Sequence, residues 1–251
     1  MVPSFSSGTR FRLSPLQVVI LAGGLGTRMR TVAPAVPKCL IEVTGRPFAD
    51  LQLRWLSQQG ISHVLYSIGH LGDQIRRFVG DGSRWDLEVS YVDEGSELRG
   101  TAGALRLGLD RGLLDARFLV LYGDSYLTVP LAEVEGAHRG SGLPALMTVF
   151  RNDGRWEESN AVFDGHLVTR YEKHPTDRPA DMCFVDYGLS AMQRAVVDDL
   201  VPPHIECDLA TVFHTLSLQR QLAGFEAQDR FYEIGSPEGL RDLERLLRSS
   251  N

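Results

Sequence analysis

Short apolar runs rich in Val, Ile and aromatic side chains alternate along the chain with longer segments whose apolar positions recur at three- and four-residue spacing. The runs at 18–21, 63–68, 88–92, 118–122 and 145–150 predict strands, because β-branched and aromatic side chains pack well on a pleated surface. Between them, 48–59 places Leu51, Trp55 and Leu56 on one helical face, 73–79 predicts a shorter helix, and 101–112 a third with Thr101 suited to its N-cap. Strand and helix in this alternation imply an α/β fold with a Rossmann-like, mostly parallel sheet flanked by helices. Ligands of such a sheet bind beyond the carboxyl ends of its strands.

Beyond Phe150 the alternation loosens. Short strand candidates at 160–163, 167–172 and 184–189 are broken by turn residues such as Asp164-Gly165, so about 151–192 reads as a small inserted β region. Helices are expected at 193–200 and 207–218, a strand at 231–234, and a closing helix at 237–247 with Pro237 near its start. No repeat and no long linker divides the sequence. Residues 16–251 are expected to form one domain, behind a disordered leader at 1–15 that is rich in Ser, Gly and Pro.

A net charge of -6 without any basic run argues against wrapping nucleic acid, and leaves room for a local cationic pocket around a small anion such as a nucleotide. The longest apolar stretch, 18–22, is far short of the roughly 20 residues that span a bilayer. The leader lacks the apolar core of a signal peptide, so no membrane partner is expected and the cytoplasm is the expected compartment. Cys39, Cys183 and Cys207 are odd in number and widely spaced, which fits a reducing compartment and neither a disulfide framework nor a zinc ribbon. The seven histidines show no metal-ligand spacing, and no Ser or Cys sits in a nucleophile elbow. Assembly into a homo-oligomer is left open.

Candidate chemistry begins after the first strand. Leu21-Ala22-Gly23-Gly24-Leu25-Gly26-Thr27-Arg28 puts three glycines in four positions, which lets successive backbone N–H groups approach an anion, and Arg28 adds a cationic fork. It is neither a Walker A loop nor the G-x-G-x-x-G of dinucleotide binders. Pro37-Lys38 follows a Pro/Ala-rich loop that cannot be helical. Of the 26 basic residues only Lys38 and Lys173 are lysines, and a compact ammonium is not interchangeable with a planar guanidinium where phosphate geometry changes during reaction. The strand at 118–122 ends in Gly123-Asp124-Ser125. An Asp there serves either as a turn former or as a carboxylate for Mg²⁺ bridging nucleotide phosphates.

Leu21-Ala22-Gly23-Gly24-Leu25-Gly26-Thr27-Arg28-Met29 followed by Pro37-Lys38 resembles the signature of sugar-1-phosphate nucleotidyltransferases, the nucleotide-sugar pyrophosphorylases. Gly100-Thr101-Ala102-Gly103-Ala104, Tyr122-Gly123-Asp124, Glu172-Lys173 and Ile234-Gly235-Ser236-Pro237 are similar to further motifs of that family, in the family's order. The resemblance implies a GT-A-like nucleotidyltransferase fold, a nucleoside triphosphate and a sugar 1-phosphate as partners, an NDP-sugar and pyrophosphate as products, and Mg²⁺ as cofactor. It implies catalytic roles for Arg28, Lys38, Asp124 and Lys173. Nucleotide contacts would come from Leu21, Ala22, Gly23, Gly24, Gly26, Thr27, Gly100, Thr101 and Gly123. Asn160, Glu172, Lys173, Asp186 and Gly188 would hold the sugar phosphate. Asp124 would bind the metal together with Glu233, which stands where relatives usually have an Asp. Within the family, Ser159-Asn160, Asp186-Tyr187-Gly188-Leu189 and residues 231–237 look most similar to D-glycero-D-manno-heptose 1-phosphate guanylyltransferases, which implies GTP and a heptose phosphate. Uridylyl or cytidylyl transfer to a hexose or amino-sugar 1-phosphate uses the same cradle, and a non-catalytic sensor of nucleotide sugars would keep the same pocket. Two departures from the family pattern are Arg99, where a leucine often precedes Gly-Thr, and the loop Glu94-Gly95-Ser96-Glu97 on the base side.

Overall fold

The computed structural model describes residues 16–24, 35–97, 99–152, 155 and 158–249. In chain order the elements begin with β1 (Gln17–Leu21), β2 (Glu42–Val43), β3 (Arg46–Pro47), α1 (Phe48–Gln58), β4 (His63–Ile68), α2 (Gly72–Val79), β5 (Glu88–Asp93) and α3 (Gly100–Asp110). There follow β6 (Arg117–Tyr122), β7 (Ser125–Tyr126), α4 (Leu131–Ser141), β8 (Ala145–Arg151), β9 (Ala161–Phe163), β10 (Val168–Tyr171) and β11 (Phe184–Gln193). The last elements are α5 (Arg194–Leu200), α6 (Leu209–Leu218), β12 (Leu222–Ala227), β13 (Tyr232–Glu233) and α7 (Pro237–Ser249). This is the expected α/β architecture, a mostly parallel central sheet flanked by helices. Two compact units share the chain: one holds Met1–Glu97, Tyr122–Leu127 and Phe231–Asn251, the other Leu98–Leu121 and Thr128–Arg230. Among the described residues no helix is long and apolar enough to cross a membrane.

In the first unit β1, β4 and β5 pair in parallel, with Val18 opposite Val64 and Val64 opposite Val89. Val18, Val19, Ile20, Val64, Leu65, Tyr66 and Ile68 are all buried, and a strand covered on both faces needs apolar residues at consecutive positions. The small core of Val43, Phe48, Ile234 and Leu243 ties α7 to α1 and β2, with Leu240, Leu246 and Leu247 packed on it.

In the second unit β11 pairs antiparallel with both β6 and β8, and β12 joins β8 in parallel. The β9–β10 hairpin extends this sheet through the pairing of Ala161 with Phe184. The register of β11 on β8 shifts between Asp186 and Ser190, where Gly188 takes φ +86°, a bulge conformation that a side chain would oppose.

The structure departs from the sequence expectations at several places. Thr101 does not cap its helix: α3 starts at Gly100 with Arg99 in the cap position, and the Thr101 hydroxyl bonds Asp208 instead. β11 runs on to Gln193 because its second half is clamped between β6 and β8. The strand expected at 231–234 is reduced to Tyr232–Glu233, paired with β7. Five elements had no counterpart: the two-residue strands β2, β3 and β7, then α4, whose interior holds Gly136 and Gly140, and β12, whose Gly224 lies against the ring of Phe163 where a Cβ would stand 2.2 Å from the nearest carbon. The last two carry glycine where propensity disfavours it, and tertiary packing sets them.

Asp50, in the first turn of α1, is buried and accepts hydrogen bonds from Trp85 Nε1 at 3.0 Å and Arg54 Nε at 2.7 Å. Burial raises its pKa, but the hydrogen bonds from Arg54 and Trp85 and the charges of Arg54 and Arg84 outweigh this and hold the carboxyl below its ordinary value. A folded-state pKa below the unfolded one contributes stability above the unfolded value, about 3.9, and that contribution is lost as pH falls through the folded value. Asp50→Asn is therefore expected to cost about 1.5–3 kcal/mol at neutral pH, with the gap to wild type closing in acid. Urea unfolding at neutral pH and at about pH 3 checks this; an equal gap at both would contradict the assignment.

Candidate active site

The first unit assembles its candidate residues around the turn that follows β6. β1 ends at Leu21 and continues into Ala22-Gly23-Gly24, anchored by the hydrogen bond from Ala22 N to Ser67 O at 2.9 Å. Gly26, Thr27 and Arg28 lie outside the described residues. Gly123 N donates to Leu21 O at 2.9 Å, and a Cβ on Gly123 would stand 2.9 Å from that oxygen and 3.0 Å from Ala22 Cβ. Only glycine permits this approach. Gln52, buried on α1, spans the turn by donating from Nε2 to the carbonyls of Tyr122 and Ser125, each at 3.1 Å. On the far side, Ile234 N donates to Asp124 O at 3.0 Å, and β13 places Glu233 opposite Ser125.

These backbone ties bring Asp124, Glu233 and Lys38 together. Lys38 opens a short 3-10 turn after Pro37 and puts its Nζ 3.2 Å from Asp124 Oδ2, with both side chains partly exposed. Glu233 accepts from Gly235 N through Oε2 at 3.0 Å and from Ser236 Oγ through Oε1 at 2.8 Å. A Cβ on Gly235 would stand 2.2 Å from Glu233 Oε2 and 3.2 Å from Asp124 Oδ2, so the two carboxylates border one glycine. Paired carboxylate oxygens without His or Cys suit a hard divalent cation such as Mg²⁺, which keeps most of its positions for phosphate oxygens and water. Among the described residues no group of three or more His, Cys, Asp or Glu side chains is placed to hold a metal ion. Cys39, beside Lys38, is fully buried; burial above all, against hydrogen bonds involving Tyr66 and its own backbone, pushes its thiol up to about 12. Such a thiol is not a nucleophile.

Glu94 and Gln52 were not singled out as site residues from the sequence. Glu94 follows β5, donates its N–H to Ile68 O at 2.9 Å, and accepts from Ser67 Oγ at 3.1 Å. A Cβ on Gly23 would meet its Oε1 at 2.3 Å, so this carboxylate lies directly against the glycine run. Its only sequence signal was the acidic composition of its loop. Gln52 gave none, being one polar residue on a helix whose buried face was read from its apolar positions.

In the second unit the Gly100-Thr101-Ala102-Gly103 motif is fastened to the start of α6. Gly100 has φ +71°, and a Cβ on it would lie 2.4 Å from Cys207 O, the carbonyl that accepts from Ala102 N at 2.9 Å and Gly103 N at 3.1 Å. Thr101 Oγ1 donates to Asp208 Oδ1 at 2.9 Å and accepts from Leu209 N at 2.8 Å. Asp208 caps α6 by accepting from Ala210 N at 3.0 Å, and its Oδ2 receives Lys173 Nζ at 2.5 Å. Burial raises the Asp208 pKa, but hydrogen bonds from Lys173, Ala210 N and Thr101, with the Lys173 charge, hold it below the ordinary value.

The remaining sugar-phosphate candidates form a hydrogen-bonded string in this unit. Arg170 Nε donates to Glu172 Oε1 at 2.7 Å, and Glu172 N donates to Asn160 O at 2.9 Å. Asn160 Oδ1 accepts from Asp186 N at 3.0 Å, and Asp186 Oδ1 accepts from Gly188 N at 2.9 Å. Asn160 just before β9, Glu172 just after β10, and Asp186 and Gly188 on β11 are thus joined by hydrogen bonds. Lys173 follows Glu172, and Asp208 links Lys173 to Thr101. Asp208 was missed because from sequence it was one unremarked Asp near the start of an expected helix.

The UTP–glucose-1-phosphate uridylyltransferase of Synechocystis is 26% identical over 206 residues, covering 77% of this chain and 53% of that protein. The mannose-1-phosphate guanylyltransferase catalytic subunit beta of Xenopus tropicalis is 26% identical over 231 residues, covering 89% of this chain and 62% of that protein. The chain thus spans little more than half the length of these curated relatives. Among solved structures, a Bacillus anthracis protein in complex with sucrose matches with a TM-score of 0.81 at 20% identity, covering 94% of this chain and 96% of that one. HddC from Yersinia pseudotuberculosis matches with a TM-score of 0.74 at 22% identity, covering 92% and 99%. These two likenesses show a shared fold. The profile of the nucleotidyl transferase family matches residues 17–166, from β1 and its glycine run through Asp124 to the β9 hairpin, and this chain is a member of that family.

Proposed function

We propose that this chain transfers a nucleotidyl group from a nucleoside triphosphate to a sugar 1-phosphate, releasing pyrophosphate, and that its substrates are GTP and D-glycero-D-manno-heptose 1-phosphate. The observation that carries the reaction class is the pairing of Lys38 with Asp124, whose carboxylate borders Gly235 together with that of Glu233, in a family whose relatives above are named for this type of transfer. A phosphate monoester is already ionised at neutral pH, so the nucleophile needs alignment and charge neutralisation more than a general base. One of its oxygens bonds to the α-phosphorus while the bond to the bridging oxygen breaks, and the electron pair leaves with pyrophosphate. Asp124 and Glu233 would hold Mg²⁺, which when bound neutralises phosphate charge. Lys38 uses one ammonium N–H on Asp124, leaving two for the α-phosphate as charge develops. Arg28, Thr27 and the glycines of the run beyond Gly23 take the β and γ phosphates. Lys173 takes the sugar phosphate, with Glu172, Asp186 and Asn160 as partners for ring hydroxyls.

Glu94 favours guanine. A carboxylate is an acceptor-only group, and guanine presents N1–H and N2–H side by side to it. Uracil and thymine present one N–H between two carbonyls, which a carboxylate repels. The relatives above include both a uridylyltransferase and a guanylyltransferase, so the choice of base rests on Glu94. The heptose rests on the similarity of 159–160, 186–189 and 231–237.

Pyrophosphate release measured over four triphosphates, a panel of sugar 1-phosphates and Mg²⁺ tests the reading, with GTP and the heptose phosphate expected to give the highest turnover. A better rate with UTP and a hexose phosphate would overturn the substrate pair alone, and no release with any pair would overturn the reaction. Lys38→Arg keeps the charge but replaces the compact head, and is expected to lower turnover at least about 100-fold with an unchanged melting temperature. Glu94→Gln is expected to lower kcat/KM for GTP roughly 10- to 100-fold, the worth of a hydrogen bond to a charged group, and to leave UTP less affected. Equal losses for both triphosphates would remove Glu94 from base selection.

A further inference from the structure

We propose that Asp208 is a positioning residue that sets the Lys173 ammonium for the incoming phosphate, an inference that rests on the sugar-phosphate role given to Lys173 above. Lys173 is half exposed, on a stem with about 2 kcal/mol of rotamer entropy to lose on being fixed. An ordinary surface ion pair would not hold it, because two mobile side chains gain little from meeting in water. Asp208 is not mobile. Its Oδ1 accepts from Ala210 N and from Thr101 Oγ1, and Thr101 is in turn fixed by Leu209 N, so both ends of the carboxylate's framework are backbone. Only Oδ2 faces Lys173 Nζ, at 2.5 Å. The ammonium has three donors. One is spent on Asp208, and the others, without a partner among the described residues, are offered to an anion in an orientation set by the cap of α6.

The same contacts couple two motifs that lie far apart in sequence. Thr101 belongs to the first turn of α3, whose Ala102 and Gly103 amides are engaged by Cys207 O, and Asp208 is the next residue after that carbonyl. A single carboxylate thereby joins α3, α6 and Lys173 inside one unit. Structural capping alone would need Oδ1 and no lysine. The lysine contact is what the capping role leaves unexplained.

Two substitutions separate the roles. Asp208→Ser keeps a good helix cap but cannot reach Lys173, and Asp208→Asn keeps the cap together with an acceptor oxygen at the original distance. In Asp208→Ser the KM for sugar 1-phosphate is expected to rise about 10-fold or more, the worth of one charge-assisted contact. The KM for the triphosphate and the melting temperature should stay near wild type, and Asp208→Asn should recover part of the loss. A wild-type KM for sugar phosphate in Asp208→Ser, or a parallel rise of both KM values with a lower melting temperature, would overturn the proposal.

A second measurement uses the scarcity of lysine. Limited acetylation read by mass spectrometry reports only two side-chain sites, Lys38 and Lys173. Inorganic phosphate is expected to slow acetylation of Lys173 in the wild type and to do so several-fold less well in Asp208→Ser. If no sugar 1-phosphate were turned over by the wild type, the proposed reaction would fail while this assay still decided the role of Asp208, with equal protection in both proteins ruling it out.

Discussion

The contact between Gly123 and the end of β1 is the constraint on which the first unit's site depends. Its backbone approaches Leu21 and Ala22 too closely for any side chain, and the Gly123 N to Leu21 O bond fixes where the next residue stands. Asp124 is then held from three directions: by that bond, by Gln52 clamping the carbonyls on either side, and by Ile234 N on its own carbonyl. A carboxylate anchored through its neighbours' backbone keeps its oxygens available, and a site carried by rigid elements is placed more accurately than one on a loop. Lys38 reaches Asp124 across 86 residues of sequence because both endpoints are fixed by such short-range ties.

The strands of the first unit were legible because burial on both faces forces consecutive apolar residues, as in β1 and β4. Elements that depend on a neighbour for their stability were not. β12 carries Gly224 to accommodate Phe163, and α4 tolerates Gly136 and Gly140, so neither presents a pattern of its own. The site followed the same rule. Residues whose chemistry is unusual for their position, such as Asp124 after a strand or one of two lysines in the chain, could be named in advance. Gln52, Glu94 and Asp208 act through geometry that links distant segments, and sequence shows each only as an ordinary polar residue.

Arginine pairs are both local and long-range. Some lie along one helix, as Arg106 with Asp110 and Arg248 with Glu244, contacts that add a few tenths of a kcal/mol each, and others join distant segments, as Arg151 with Glu226. Both lysines reach carboxylates far off in sequence, 86 residues away for Lys38 and 35 for Lys173. Asp124 is held through its backbone carbonyl by Ile234 N, and the Asp208 carboxylate by Ala210 N at the cap of α6. A flexible point charge gains a defined position only from a rigid partner, which is what each lysine has.

The position of Glu94 also divides the glycine run. Two unit charges of the same sign about 4 Å apart repel by about 4 kcal/mol at the effective dielectric near a protein surface. A polyphosphate lying against Gly23, where the Glu94 carboxylate already stands, would meet that cost for each nearby charge. A neutral base with N–H donors meets none of it and gains hydrogen bonds. On the proposed reaction, then, Gly23 serves the base end of the nucleotide, and the phosphates belong at the cluster of Lys38, Asp124 and Glu233.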